Sequence, residues 1–414
     1  MGKSRPSQQP LEHRLLLTAT FCLLAGGAVM VYSASSARTL LEGQGDGTAY
    51  LVKYLAYGAI GLVLMQLLAR HGLEHVRRIT PLLLMGAFVL LVLVLLPGFG
   101  VTVNGAKRWL GAGPLQFQPA EVMKLALVLH AAAVLSAKPK ITPNLRRVAG
   151  PIFLPGGCAV LLIAAQPDLG TALVIGFTLA AMLIAAGLPL RQLGLIAGGV
   201  SLLILLFALL EPYRRDRLTA FLNPWDHAGT IGFQSVQGQI AIGSGGLFGV
   251  GPGQSVQKVF YLPEAHTDFI LAVIGEELGF AGIVGLLALY GMIGYAGLRT
   301  AKAAKGAYAK LLAAGLTSLI LCQALLNIYT VLGLAPLTGV PLPFISSGSS
   351  SLITLLLAMG LLLNVASGGS AHLRPVRTRA RRREGSERTA DRHRGGRDGG
   401  SRGPGHRRGR RATG

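Results

Sequence analysis

Three carboxylates stand where an apolar stretch begins. They are Glu121 in Gln118-Pro119-Ala120-Glu121-Val122-Met123-Lys124, Asp168 in Gln166-Pro167-Asp168-Leu169-Gly170-Thr171, and Asp268 in Ala265-His266-Thr267-Asp268-Phe269. Cations lie near them in the sequence: Lys107 and Arg108 ahead of Trp109, Lys124 itself, and the group Arg214, Arg215 and Arg217. This set suits one chemistry. Cations can hold a diphosphate, in two-pronged fashion where the cation is Arg, while an outer carboxylate takes a proton from a hydroxyl. A bilayer alongside can hold a long lipid tail. Serine hydrolysis fits less well, since no His accompanies a Gly-x-Ser-x-Gly turn, and zinc proteolysis lacks its His-Glu-x-x-His. The three cysteines, Cys22, Cys158 and Cys322, are odd in number, far apart and each within an apolar stretch. That pattern supports neither a disulfide framework nor a Cys-based metal site.

Each of these residues also has a plainer reading. Thr267 or Asp268 at a helix start is an N-cap, accepting a backbone N–H. Glu121 and Lys124, three apart and so on one helix face, make an intrahelical salt bridge. The three arginines serve equally as ordinary positive charge at headgroup level. Glu276 and Glu277 follow Asp268 by eight and nine residues, which in a continuous helix is roughly 12 Å deeper. Carboxylates at that depth are costly and mark either a functional path or a buried ion pair.

The elements that must position these groups are membrane helices. Of 414 residues, 51% are hydrophobic and 14% charged, and the mean hydropathy is +0.54, which excludes a disordered or nucleic-acid-wrapping chain over most of its length. A bilayer core takes roughly 20 apolar residues per helix. About ten such stretches are present, near 15–34, 51–69, 81–97, 120–137, 150–165, 170–187, 192–210, 268–297, 311–333 and 349–366. The expected fold is an all-α polytopic membrane protein with both termini cytoplasmic. Thirty of the 39 Lys and Arg then fall on the inner side, as retention of positive charge requires.

The expected division of the chain is a cytoplasmic N-terminus at 1–14, a membrane domain at 15–370 and a tail at 371–414. The tail holds fifteen Arg against four acids, a composition that cannot bury a core and is expected to be disordered. The segment 211–267, between spans seven and eight, is too long for an idle connection. Within it, Ile231 to Ile240 has the spacing of an amphipathic interfacial helix. The run Gly243-Ser244-Gly245-Gly246-Leu247-Phe248-Gly249-Val250-Gly251 lacks the Gly-Lys-Ser/Thr ending of a nucleotide loop, and it reads as a flexible turn on the membrane surface. No nucleotide cofactor is expected.

These residues resemble the SEDS membrane proteins (shape, elongation, division and sporulation), and within them the FtsW division branch more than the RodA elongation branch. The resemblance is carried by Val29 to Ser36, Asn104 to Lys124, Gln166 to Ala172, Arg214 to Trp225, Gln254 to Gly279 and Pro341 to Leu352. It implies a ten-helix peptidoglycan glycosyltransferase that polymerises lipid II at the outer face of the bacterial inner membrane, at the division septum. It further implies a class B penicillin-binding protein as transpeptidase partner, with other membrane proteins of the division complex and no nucleic acid.

In the resemblance Asp268 is the catalytic residue. Lys107, Arg108, Glu121, Lys124, Asp168, Arg217, His266 and Glu276 are the expected substrate contacts, and a divalent cation, Mg or Mn, is a further expectation for neutralising the leaving diphosphate. Two departures stand out: Ser346-Ser347-Gly348-Ser349-Ser350-Ser351 replaces Ser-Tyr-Gly-Gly-Ser-Ser, and Ala120 stands where Ser is common. Sporulation relatives share the same motifs. A lipid II flippase and a non-catalytic scaffold for the transpeptidase are the alternative functions.

Overall fold

The computed structural model describes residues 10–41, 48–103, 105–112, 115–137, 149–195, 198–199, 221–259, 262 and 265–368. Its helices are α1 (Leu11–Leu41), α2 (Thr48–Arg70), α3 (Leu73–Leu95), α4 (Pro119–Ala137), α5 (Leu154–Ala165), α6 (Leu169–Ala185), α7 (Phe233–Ser244), α8 (Ile270–Ala303), α9 (Ala307–Val331) and α10 (Ser349–Ala366). Among the described residues seven helices are long and apolar enough to cross a membrane, and two shorter apolar ones, Gly150–Ala165 and Leu169–Ala185, accompany them. The expected span at 192–210 and the arginines 214, 215 and 217 lie outside the described residues for the most part or wholly. The compact unit runs from Met1 to Ser370; the tail beyond it is not described.

One feature departs from the all-α expectation. Between α3 and α4 the chain forms a three-stranded antiparallel sheet, β1 (Gly100–Val103), β2 (Ala106–Ala112) and β3 (Leu115–Phe117). It carries Lys107 and Arg108 on its middle strand, where the register shifts from Val101↔Trp109 to Thr102↔Lys107 and leaves Arg108 as the extra, unpaired residue of a bulge.

Helix α9 is the hub. It packs on α4, α6, α8 and α10, and it is apolar nearly all round, as a helix enclosed on every side must be. Its polar residues Thr317, Gln323 and Asn327 are buried. Helices α5 and α6 are separate, as expected. A Cβ on Gly156 of α5 would stand 2.9 Å from Leu179 Cδ1 of α6, and the two residues are equally far from the Gln166–Asp168 turn, so the helices run antiparallel.

Contacts gather the positively charged helix ends at one pole. Arg299 Nε lies 3.2 Å from Glu12 Oε1, Arg77 stacks 5.5 Å from the Tyr308 ring, and Asn364 Nδ2 donates to Leu68 O at 2.8 Å. Arg70, Arg78, Lys302, Lys305 and Lys310 belong to the same helix ends, which makes this the cytoplasmic pole.

Helix α8 corrects the depth expected for Glu276 and Glu277. At Gly279 the backbone leaves the helical region, with φ +67° and ψ −163°, and the two arms fold back on each other. A Cβ on Gly275 would stand 3.3 Å from Ile283 Cδ1, a contact between residues that a straight helix holds about 12 Å apart along its axis. The register of the long arm confirms the reversal. Gly297 meets Thr317 and Gly294 meets Leu321, so Asn327 stands opposite the region around residue 288. Asn327 Nδ2 nevertheless donates to Asp268 O at 2.7 Å. Residues 270–278 therefore climb from Asp268 toward the outer pole, and the two glutamates lie outward of Asp268, not inward.

A reversal inside an apolar domain strands backbone groups that lipid cannot satisfy. Here the glycine-rich run satisfies them. Val250 N and Gly251 N donate to Glu276 O and Glu277 O at 3.0 and 3.1 Å, while Phe280 N and Ala281 N donate to Gly246 O and Leu247 O at 2.9 and 3.0 Å. Contact this close needs glycine. A Cβ on Gly245 would stand 1.9 Å from Gly275 O, and one on Gly249, where φ is +81°, would stand 2.1 Å from Glu277 O. The expected flexible surface turn is instead a fixed splice, since its amides are engaged by the helix it abuts.

Gly249→Ala and Gly279→Ala are each expected to destabilise the purified protein by about 3 kcal/mol or more, from left-handed strain and steric overlap together. Gly243→Ala, in α7 with nothing within 4 Å of the new methyl, is expected to be neutral or stabilising by up to about 1 kcal/mol. Thermal unfolding in detergent separates the three. Equal tolerance at all of them would contradict a fixed splice.

Candidate active site

Asp268 sits at the foot of the 270–278 arm, partly exposed. It is not the N-cap. That position belongs to Phe269, which makes no side-chain cap hydrogen bond, so the capping reading of Asp268 is set aside. Thr267 Oγ1 donates to Asp268 Oδ1 at 3.1 Å. The backbone is fixed on two sides. Asn327 Nδ2 bridges Asp268 O at 2.7 Å and Val340 O at 2.8 Å, Ser346 Oγ donates to Thr267 O at 2.5 Å, and Ser347 donates to His266 O through both N and Oγ at 3.1 and 2.9 Å. The His266 ring meets the Tyr50 ring edge-on at 4.5 Å.

The loop that grips Asp268 is itself anchored from inside the bundle. Tyr54 Oη donates to Phe344 O and Tyr290 Oη to Pro343 O, both at 2.6 Å. Phe344 and Ile345 are buried. Gly339 passes so close that a Cβ there would stand 3.9 Å from Asp268 Oδ2. Of the serines that depart from the family pattern, Ser347 is used by the fold through its bond to His266 O. Ser350 and Ser351, which keep the pattern, are used as well: Ser350 Oγ accepts from Gln118 N at 3.0 Å and Ser351 Oγ from Gln323 Nε2 at 3.1 Å.

Asp168 is the N-cap of α6 and is buried. Its carboxylate accepts from Thr171 N at 3.1 Å, Thr171 Oγ1 at 2.9 Å and Gln118 Nε2 at 2.8 Å, with Arg108 Nη1 at 4.0 Å. Arg108 also donates through Nε to Gln166 O at 3.0 Å and through Nη2 to Pro167 O. The pair Asp168 and Arg108 thus binds the sheet to the α5–α6 turn. Lys107 Nζ donates to Leu96 O at 2.6 Å, back toward α3.

Glu121 and Lys124 form the intrahelical pair that their spacing allows, Nζ to Oε1 at 2.8 Å, with side chains 2% and 1% exposed. Lys124 Nζ also donates to Gln323 Oε1 at 2.7 Å, and Gln323 Nε2 continues to Pro341 O at 3.0 Å. The pair therefore reaches the Asp268-gripping loop through α9. Glu121 Oε2 is buried without a hydrogen-bond partner, as is Asn327 Oδ1. Gln323 and Asn327, four apart on one face of α9, are the functional neighbours that sequence reasoning overlooked. Two amides inside an otherwise apolar span were the available signal.

Glu276, expected at the substrate, is taken up by the fold. It is buried, and it accepts from Ser255 Oγ at 2.5 Å, Val256 N at 2.9 Å and Gln257 N at 3.4 Å. Glu277 pairs with Lys258 at 2.8 Å, both nearly fully buried. Arg217 lies outside the described residues.

Four helix starts thus meet near Asp268, those of α4, α6, α8 and α10, tied by Gln118, Ser350, Asn327 and the 336–348 loop; Asp168 caps the start of α6 and Glu121 stands in the first turn of α4, while those of α8 and α10 carry no acid in their first turns. Each helix start carries partial positive charge, which favours an anion. Among the described residues no group of three or more His, Cys, Asp or Glu side chains could hold a metal ion.

Residues 13–370 match the family described as cell cycle protein, FtsW/RodA/SpoVE. The chain is 42% identical to stage V sporulation protein E of Bacillus subtilis (strain 168), covering 85% of this chain and 96% of that protein. It is 39% identical to the probable peptidoglycan glycosyltransferase FtsW of Geobacter sp. (strain M18), covering 85% and 96%. Among solved structures it resembles a chain of a peptidoglycan synthase complex that coordinates polymerization and crosslinking, with a TM-score of 0.71 and 32% identity over 85% of this chain and 96% of that one. It also resembles the rod shape determining protein RodA of Thermus thermophilus, with a TM-score of 0.62 and 30% identity over 85% and 95%.

Lys124→Met leaves Glu121 charged, buried and unpaired, and is expected to cost about 3–5 kcal/mol. Adding Glu121→Gln removes the stranded charge, so the double variant is expected to unfold at a higher temperature than Lys124→Met alone. A double variant no more stable than the single one would show that the pair is not the source of the loss.

Proposed function

The chain belongs to the FtsW/RodA/SpoVE family, the SEDS proteins, and from that membership we propose that it is a peptidoglycan glycosyltransferase polymerising lipid II at the outer face of the bacterial inner membrane. The observation that carries the reading is Asp268 itself. It is a partly exposed carboxylate whose backbone is held by Asn327 and the 336–348 loop, among helix starts that favour an anion.

In the proposed reaction Asp268 takes the proton of the 4-hydroxyl on the acceptor saccharide as that oxygen attacks the anomeric carbon of the donor. The new glycosidic bond forms as the bond to the lipid diphosphate breaks, with inversion. The departing diphosphate needs charge stabilisation more than a proton, and Arg108 with the starts of α8 and α10, which carry no acid in their first turns, supplies it. His266 and Lys107 are proposed to contact substrate from the rim. Glu121, Lys124, Asp168 and Glu276, each engaged within the fold, are assigned to holding the site in shape.

A class B penicillin-binding protein is the proposed transpeptidase partner, supported by the likeness to a chain of a peptidoglycan synthase complex. Identities of 42% to the sporulation protein and 38–40% to FtsW-named relatives, against 30% for the Thermus RodA, set the chain apart from the elongation branch and support a role in building a septum.

Asp268→Asn keeps the side chain's shape and removes the proton acceptor. Polymer formation from lipid II by the purified protein with its partner is expected to fall by about 10²–10⁴-fold, with thermal stability close to wild type. Glycan output at the normal rate would refute the assignment. Lipid II crossing vesicle membranes without polymer would point to transport instead.

A further inference from the structure

The buried group Lys258, Glu277 and Ser33 plays no part in the proposed chemistry, yet it joins three elements: the outer loop, α8 and α1. Lys258 Nζ donates to Glu277 Oε1 at 2.8 Å, to Ser33 Oγ at 3.0 Å and to Gly253 O at 2.8 Å. Ser33 Oγ stands 2.6 and 2.8 Å from the two Glu277 oxygens and donates to that carboxylate. The three side chains are at most 8% exposed. Beside them, the outer loop holds Glu276 through Ser255 Oγ and two backbone amides.

This group sits at the outer end of the 270–278 arm, next to the reversal, and Asp268 sits at the other end. The arm from Asp268 to Gly279 spans about 15 Å at 1.5 Å per residue, so a tilt of about 5° about the reversal displaces Asp268 by about 1 Å. A displacement of that size in a reacting group costs on the order of 10²-fold in rate.

We infer that Lys258, Glu277 and Ser33 are positioning residues that set the place of Asp268 through the rigid arm, at a distance from the reacting atoms. The inference rests on the glycosyltransferase reading of Asp268 and deepens it. If the clamp positions only the proton acceptor, its loss lowers turnover and leaves substrate binding alone.

The test is steady-state polymerisation of lipid II by the purified full chain with its partner, for wild type, Glu277→Gln, Lys258→Met, Lys258→Arg and Ser33→Ala. Glu277→Gln and Lys258→Met are expected to lower kcat about 10- to 100-fold, with KM for lipid II within about twofold of wild type. Lys258→Arg restores most of the rate. The acid limb of the pH profile stays at its wild-type position in Glu277→Gln, because Asp268 still takes the proton. Ser33→Ala removes a neutral hydroxyl without stranding a charge, so it keeps the test open should the charge variants fail to fold. It is expected to lower kcat a few-fold with an unchanged melting curve.

Wild-type kcat in Ser33→Ala, or in a folded Glu277→Gln, overturns the inference. So does a loss confined to KM, or disappearance of the acid limb in Glu277→Gln, which would make Glu277 the proton acceptor. A wild-type protein that makes no polymer from lipid II refutes the glycosyltransferase reading, a result distinguishable from all of these.

Discussion

The backbone hydrogen bonds that close the reversal at Gly279 are the constraint on which the site depends. Inside an apolar domain each unsatisfied amide or carbonyl costs several kcal/mol, so a helix can turn back there only where another segment supplies the missing partners. Residues 246–251 supply four, two donors to Glu276 O and Glu277 O and two acceptors from Phe280 N and Ala281 N. Without them the 270–278 arm has no defined angle, and Asp268 is left with the hold of Asn327 and the 336–348 loop alone. The glycines follow from this requirement, because backbone can bond backbone at such range only where no Cβ intervenes.

The buried charges obey the same logic at a second level. An ion pair taken out of water gains little net stability over a well-packed apolar substitute. Glu121 with Lys124, and Glu277 with Lys258, are therefore poor candidates for simple stabilisers. What distinguishes them is that each pair has a third partner on another element, Gln323 of α9 in one case and Ser33 of α1 in the other. A pair of this kind discriminates between arrangements, since any shift of one element breaks a hydrogen bond to a buried charge. The cost of burial is offset by a single well-defined geometry around the acid.

Hydropathy made the helices legible, and the motif around Asp268 made the central acid legible, because both are written in consecutive residues. The α4 pair was legible as well, from the spacing of Glu121 and Lys124. What could not be read was the direction of travel after Asp268. Glu276-Glu277-Leu278-Gly279-Phe280 continues an apolar, helix-compatible stretch, and periodicity does not register a reversal that keeps both arms helical. Length was the one available sign: 34 residues make about 50 Å of straight helix, well beyond the roughly 30 Å of a bilayer core. The roles of Gln118, Gln323 and Asn327 were hidden for a different reason. Their partners are 28 or more residues away, or are loop carbonyls, and only the packing of α4, α6, α9 and α10 brings them together. The three-stranded sheet escaped because its strands are short and lie between stronger helical signals.

The re-entrant arm also bears on why an acid can serve here at all. A carboxylate set directly in the middle of a spanning helix would be desolvated, and its charged form disfavoured. Asp268 instead stands in a non-helical turn at the start of the arm, partly exposed, while its backbone is held from inside the bundle. The arm carries the two glutamates outward to the loop that fixes them, and their charges are matched there by Lys258 and by backbone amides. Charge that must titrate is thus separated by most of the arm's length from charge that must not. A straight helix in the same place would have put Glu276 and Glu277 deeper than Asp268, where neither the loop amides nor Lys258 could reach them. The fold back at Gly279 therefore solves two problems with one turn, leaving the base partly exposed and giving the buried acids their partners.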